Sequence, residues 1–172
     1  KMREKMKKSI LLSIMILMGT NISYADNDIA NFQSSVQLNS SCSIGATDLS
    51  FGVYDSSQSN VATGSLNVTC SRSTSYQISS NYGYYNYRNN KRMFIITDTD
   101  HSSSNPNYIP YTVYFNPVFA TSTVWGDGTY GYKITGSGTG SSQTYPLYGQ
   151  IAANLFPKPA VYSDNIVATI SY

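Results

Sequence analysis

Past Ala25 the chain repeats its apolar residues at every second position, and no stretch sustains the i, i+3, i+4, i+7 apolar pattern of a helix. Leu66, Val68 and Cys70 alternate with Asn67 and Thr69, and Tyr76 and Ile78 alternate with Ser75 and Gln77. Tyr111, Val113 and Phe115 form a third set, and Ile166, Ala168, Ile170 and Tyr172 a fourth. A period of two is that of a strand with one face on a core. Turn-forming clusters at residues 55–60, 101–107 and 136–142 separate the runs, and the Gly/Ser-rich last one reads as a hairpin loop. Tyr, Thr, Val and Ile are common, and these suit a pleated surface. Roughly seven or eight short strands punctuated by turns predict an all-β sandwich.

Two ends of the pattern stand out. Ala30, Phe32, Ser34, Val36, Leu38, Ser40, Cys42 and Ile44 hold one alternation over 15 residues, beyond the usual strand length of about 3–10. One reading is a single long, bent first strand. The other splits the run: residues 40–44 open the domain, and residues 30–38 form a separate extended segment with its own apolar face. At the far end, the last strand signal runs to Tyr172, so the expectation is a final strand with no successor to pair with.

Residues 1–8 carry Lys1, Arg3, Lys5, Lys7 and Lys8 against Glu4, residues 10–18 are apolar except for Ser13, and Ser23-Tyr24-Ala25 puts small residues at the −3 and −1 positions. That order predicts a secretory signal peptide over residues 1–25. The apolar run is far short of the roughly 20 residues that span a bilayer. Cleavage after Ala25 would leave 172 − 25 = 147 residues, a single domain. It would also reverse the charge: 11 − 5 = 6 basic residues would face 9 − 1 = 8 acidic ones. Without a basic cluster beyond Lys91-Arg92 there is no footprint for nucleic acid. Cys42 and Cys70, the only cysteines, are expected to pair in an oxidising compartment, contributing roughly 3.5 kcal/mol on a loop-closure account. A metal site would need more ligands than two cysteines and the lone His101 supply. No cofactor is expected.

The candidates for chemistry weigh little. Residues 126–131 fit G-x-G-x-x-G, but no helix pattern follows, so the segment reads as a turn. Asp98, Asp100 and His101 lie with Ser102, Ser103 and Ser104 in one polar run without a G-x-S-x-G elbow, which reads as a solvated loop. Glutamate is absent after Ala25, so a carboxylate pair for glycoside chemistry would have to be two aspartates. The chain reads as a non-enzyme. Tyr82, Tyr84, Tyr85 and Tyr87 are candidate surface contacts, either for a ligand or, more in keeping with strand packing, between subunits.

Leu49-Ser50-Phe51-Gly52-Val53-Tyr54-Asp55 follows the first cysteine, and Gly64-Ser65-Leu66-Asn67-Val68-Thr69-Cys70 ends on the second. Arg92-Met93, Trp125-Gly126-Asp127-Gly128-Thr129 and Tyr148-Gly149-Gln150-Ile151 come next, and Val161-Tyr162-Ser163-Asp164-Asn165-Ile166-Val167-Ala168-Thr169-Ile170-Ser171-Tyr172 closes the chain. This ordered set resembles the spore coat protein U domain family, which includes subunits of archaic, Csu-type chaperone–usher pili. Ala152, Asn154 and Ala160 depart from its pattern, and residues 82–90 are richer in tyrosine.

The resemblance implies an incomplete immunoglobulin-like β-sandwich that lacks its last strand and is completed by a donor strand from a neighbour or a chaperone. It implies a pilin domain over residues 40–172 and a donor extension over residues 26–39, with Ala30, Phe32, Ser34, Val36 and Leu38 as the inserting face. The acceptor edge would be Ile166, Ala168, Ile170 and Tyr172. The implied partners are a periplasmic chaperone, an outer-membrane usher and other pilin subunits, at the cell surface, in attachment and biofilm formation. The alternative is a secreted coat-type or carbohydrate-binding sandwich that does not polymerise.

Overall fold

The computed structural model describes residues 27–85, 90–100 and 106–172. The signal-peptide reading of residues 1–25, Tyr87 and the His101 end of the polar loop lie outside the described residues. The chain divides into two units, Lys1–Gln37 and Leu38–Tyr172. Residues 27–37 of the first have no regular secondary structure, and every one of them is exposed.

Among the described residues, the second unit carries nine strands: β1 Cys42–Thr47, β2 Asn60–Cys70, β3 Ser75–Ser80, β4 Lys91–Ile95, β5 Tyr108–Tyr114, β6 Ile134–Ser137, β7 Ser142–Ile151, β8 Tyr162–Ser163 and β9 Ala168–Ser171. The one helical element among the described residues is a 3-10 turn, Thr121–Thr123. Six strands form a sheet in the order β1-β2-β7-β5-β4-β8, and three form a second, β6-β3-β9. Every strand pairing is antiparallel. The all-β expectation holds, and the alternation predicts the buried faces: Leu66, Val68 and Cys70 of β2, Tyr76 and Ile78 of β3, and Tyr111 and Val113 of β5 all point inward. Trp125 joins them from the loop after the 3-10 turn, and its indole N–H donates to the Ile78 carbonyl at 3.3 Å. Full burial of each large side chain contributes roughly 1.5–3 kcal/mol.

Two local readings need correction. The first strand is Cys42–Thr47 rather than residues 40–44. Residues 138–141 are not a hairpin loop, because β6 and β7 belong to different sheets. The loop instead crosses one end of the sandwich. There Gly138 donates to the Thr74 carbonyl and accepts from Ser73, and Gly140 donates to the Cys70 carbonyl. These bonds to the turn after β2 replace the ladder a hairpin would have formed. The G-x-G-x-x-G segment is a turn, as read, with Thr129 and Tyr130 N–H groups bonded to Asp127 Oδ1 at 2.8 and 3.0 Å.

Candidate functional site

Cys42 and Cys70 are opposite one another in the β1–β2 register and are joined by a disulfide. The bridge fixes β1, an edge strand whose residues are otherwise mostly exposed, to its neighbour β2. At the edge of the small sheet lies β9. Among the described residues, neither strand has a second neighbour. Some Cα atoms of β1 and β9 lie within 8 Å of each other, yet the strands share no hydrogen-bonded register. A strand inserted between them would need about 9.6 Å, twice the usual spacing, so the seam is narrower than that at its closest points.

The parity of the ladders shows what this seam offers. Asn81 N–H bonds the Val167 carbonyl, and the β3–β9 register continues from that pair. In an antiparallel ladder, hydrogen-bonded and non-bonded pairs alternate, so Thr169 and Ser171 also bond toward β3. The backbone groups of Ala168 and Ile170 then point to the open edge. The same count on β1 starts from Ser71 N–H bonded to the Ser41 carbonyl and leaves Cys42, Ile44 and Ala46 facing outward. Cys42, Ile44, Leu49 and Phe51 near β1, and Ile166, Ala168 and Ile170 at β9, are all only partly buried while packing on the core. The seam is therefore apolar inside and edged by unpaired ladder groups on both sides.

Ile166, Ala168 and Ile170, singled out from their spacing, are all partly buried and pack against the core. Tyr172 is exposed and sits beside Ser75, Tyr76 and Gln77 at the surface of the small sheet. In the N-terminal segment Ala30, Phe32, Ser34, Val36 and Leu38 are all exposed, Phe32 at 94%. The described members of the tyrosine cluster differ in their surroundings. Tyr84 is 74% exposed, but its ring is edge-on to Tyr85, which packs on the buried Phe94. Tyr82 packs edge-on to Tyr130. Its hydroxyl is buried without a hydrogen bond of normal geometry. Burial and the neighbouring Asp127 carboxylate push that hydroxyl up to about 12, and Tyr82 and backbone N–H groups hold Asp127 near about 2.

Sequence reasoning missed a polar knot beside this cluster. Asp164 Oδ2 accepts from the Tyr111 hydroxyl at 2.7 Å. Its Oδ1 accepts from the N–H groups of Tyr84 at 2.8 Å, Tyr85 at 3.4 Å and Asn165 at 2.8 Å. Gly83, at φ +82°, lies so close to that carboxylate that any Cβ would collide with it. Lys91 is only 6% exposed. Its ammonium donates to Ser80 Oγ and to the Trp125 carbonyl, each at 3.3 Å, and lies 5.8 Å from the Tyr82 ring centroid. Burial pulls its pKa down to about 8 against the opposing pull of Asp164 and Asp127. No local signal marks these residues, since Asp164 gathers three of its four partners from 53 to 80 positions away. Among the described residues, no group of three or more His, Cys, Asp or Glu side chains is placed to hold a metal ion, and no helix is long and apolar enough to cross a membrane.

Similarity to known proteins agrees with this architecture. A solved chaperone–tip adhesion subunit pre-assembly complex, CsuC–CsuE, from archaic chaperone–usher Csu pili of Acinetobacter baumannii, superposes with a TM-score of 0.56 at 19% identity. The match covers 78% of this chain and 40% of that one. A chaperone–tip adhesin complex of CFA/I fimbriae biogenesis matches at a TM-score of 0.34 and 15% identity, over 81% of this chain and 40% of that one. This chain thus spans well under half the length of either. No curated protein matches. The profile of the Spore Coat Protein U domain matches residues 28–169. With an all-β, immunoglobulin-like sandwich beneath that match, the chain belongs to the Spore Coat Protein U domain family.

Proposed function

We propose that this protein is an exported, non-enzymatic subunit of a chaperone–usher pilus, assembled by donor-strand exchange and serving surface attachment and biofilm formation. The observation that carries the reading is the seam between β1 and β9, with apolar side chains inside and ladder groups unpaired on both edges. Such an edge recruits strands, and left open it aggregates. A strand added there gains main-chain hydrogen bonds for affinity and pockets at alternate positions for specificity. In the cell, a periplasmic chaperone would fill the seam first, and at an outer-membrane usher the N-terminal segment of the next subunit would replace it. The similar Csu subunit was itself captured with its chaperone. Residues 30–38, exposed and alternating, supply the strand to the neighbour rather than to their own domain.

The test is to express residues 26–172 alone in a periplasm, and again with a second copy of residues 30–38 joined after Tyr172 by a flexible linker. The first should aggregate or be degraded, and the second should be a soluble monomer. A stable monomer with a cooperative melt from the unextended chain would sink the reading.

A further inference from the structure

The inward face of β9 and its approach read large, small, large: Ile166, Ala168, Ile170. The even face of the exposed N-terminal segment begins small, large, small: Ala30, Phe32, Ser34. We propose that, in the strand exchange set out above and resting on it, Phe32 of one copy seats beside Ala168 of the next, in the gap between Ile166 and Ile170.

The argument is one of volume. Residues directly opposite in paired strands project to the same face with Cβ atoms about 4.5–5.5 Å apart, and a core tolerates neither a void nor an overfilled position. Phe32 opposite Ile166 or Ile170 would set two large side chains against each other and leave Ala168 facing Ala30 or Ser34. Phe32 opposite Ala168 sets each large residue against a small one at all three positions. The match is symmetrical about its centre, so it holds whether the donor runs parallel or antiparallel to β9. Centring Val36 on Ala168 would instead place Leu38 against one of the two isoleucines. Ala168 also presents its backbone groups to the open edge, where a donor would bond them. Phe32 thus sets the register, and Ala168 makes room for it.

The experiment uses the chaperone-bound subunit, challenged with a synthetic peptide of residues 27–39 and followed by native mass spectrometry. An Ala168→Cys subunit should form a disulfide with a Phe32→Cys peptide and not with a Val36→Cys peptide. With the unmodified subunit, Phe32→Ala should slow displacement of the chaperone by at least roughly tenfold, more than Val36→Ala or Leu38→Ala. If the peptide displaces the chaperone but crosslinks to residue 168 through position 36, the register is overturned while the strand-exchange site survives. If the unmodified peptide never displaces the chaperone, the site itself is wrong and the register falls with it.

Discussion

On the flank of the large sheet formed by β4, β5 and β8, polar groups complete what the strands leave unfinished. Asp164 collects one hydroxyl and three backbone N–H groups, and Ser80 and the Trp125 carbonyl receive the Lys91 ammonium. At the opposite edge of that sheet, β1 and the facing β9 keep outward ladder groups and a partly exposed apolar lining. The first flank is satisfied within the chain and is expected to be rigid. On the proposed function the second is closed from outside, by a strand that another chain supplies. Internal closure and external closure are thus separable, and substitutions should divide between them.

The largest effect is expected on external closure. Phe32→Asp should abolish fibres, because an unpaired carboxylate in an apolar pocket is strongly disfavoured, by about 3 kcal/mol or more, equivalent to roughly 100-fold. Gln33→Asp should be tolerated, and the chaperone-bound subunit should survive both. Fibre yield by electron microscopy reads the difference, and equal loss from both substitutions would end the two-faced reading of the segment. Next, Cys42→Ser with Cys70→Ser should lower stability by about 3 kcal/mol in denaturant titrations of the donor-completed subunit. Because the bridge holds an edge strand of the seam, chaperone recovery should fall with it. A loss of stability with recovery unchanged would mean that β1 does not shape the acceptor.

Internal closure is tested by Asp164→Ala. It strands the buried Tyr111 hydroxyl and takes the carboxylate acceptor from the Tyr84, Tyr85 and Asn165 N–H groups, so stability should fall by about 2–3 kcal/mol. The peptide's access to the seam should be unaffected. If donor exchange slows as much as the fold weakens, the two flanks are coupled and the contrast between them fails.

The smallest effect is a pH dependence. Lys91 titrates near about 8 in the fold but near 10.4 when unfolded. Between those values the unfolded chain binds more protons, so this group makes stability rise with pH through that window. That shift bounds the gain at about 3 kcal/mol, and any hydration of the ammonium lowers it. Above about pH 10 the trend should reverse, because burial raises the Tyr76 and Tyr82 hydroxyls to about 12 and pushes Tyr111 higher still. Lys91→Met should flatten the rise between pH 8 and 10 in thermal melts of the donor-completed subunit. An unchanged slope would show that the ammonium is better hydrated than its burial implies.

Local pattern alone was enough for some of this. Alternation at residues 66–70, 76–78 and 111–113 marks which side chains enter the core, because a strand turns its side chains over at each residue whatever it pairs with. Two cysteines in one chain admit one pairing. The even-numbered face of residues 166–170 was legible for the same reason, and those residues pack against the core. The loop at residues 138–141 was misread because Gly and Ser mark a turn but not which strands the turn joins.

Only the tertiary structure decided which edges stay open, which backbone groups face them, and which polar residues are buried. Lys91 reads in sequence as half of a surface basic pair, and it is buried because β3, β4 and the Trp125 loop converge on it. Asp164 reads as one polar residue in a terminal run, yet four donors from three separate regions meet its carboxylate. The physical reason is range. Side-chain periodicity is fixed by the backbone of a few adjacent residues, whereas ladder partners and hydrogen-bond acceptors are chosen among strands tens of residues apart, where nothing in the local pattern ranks one pairing above another.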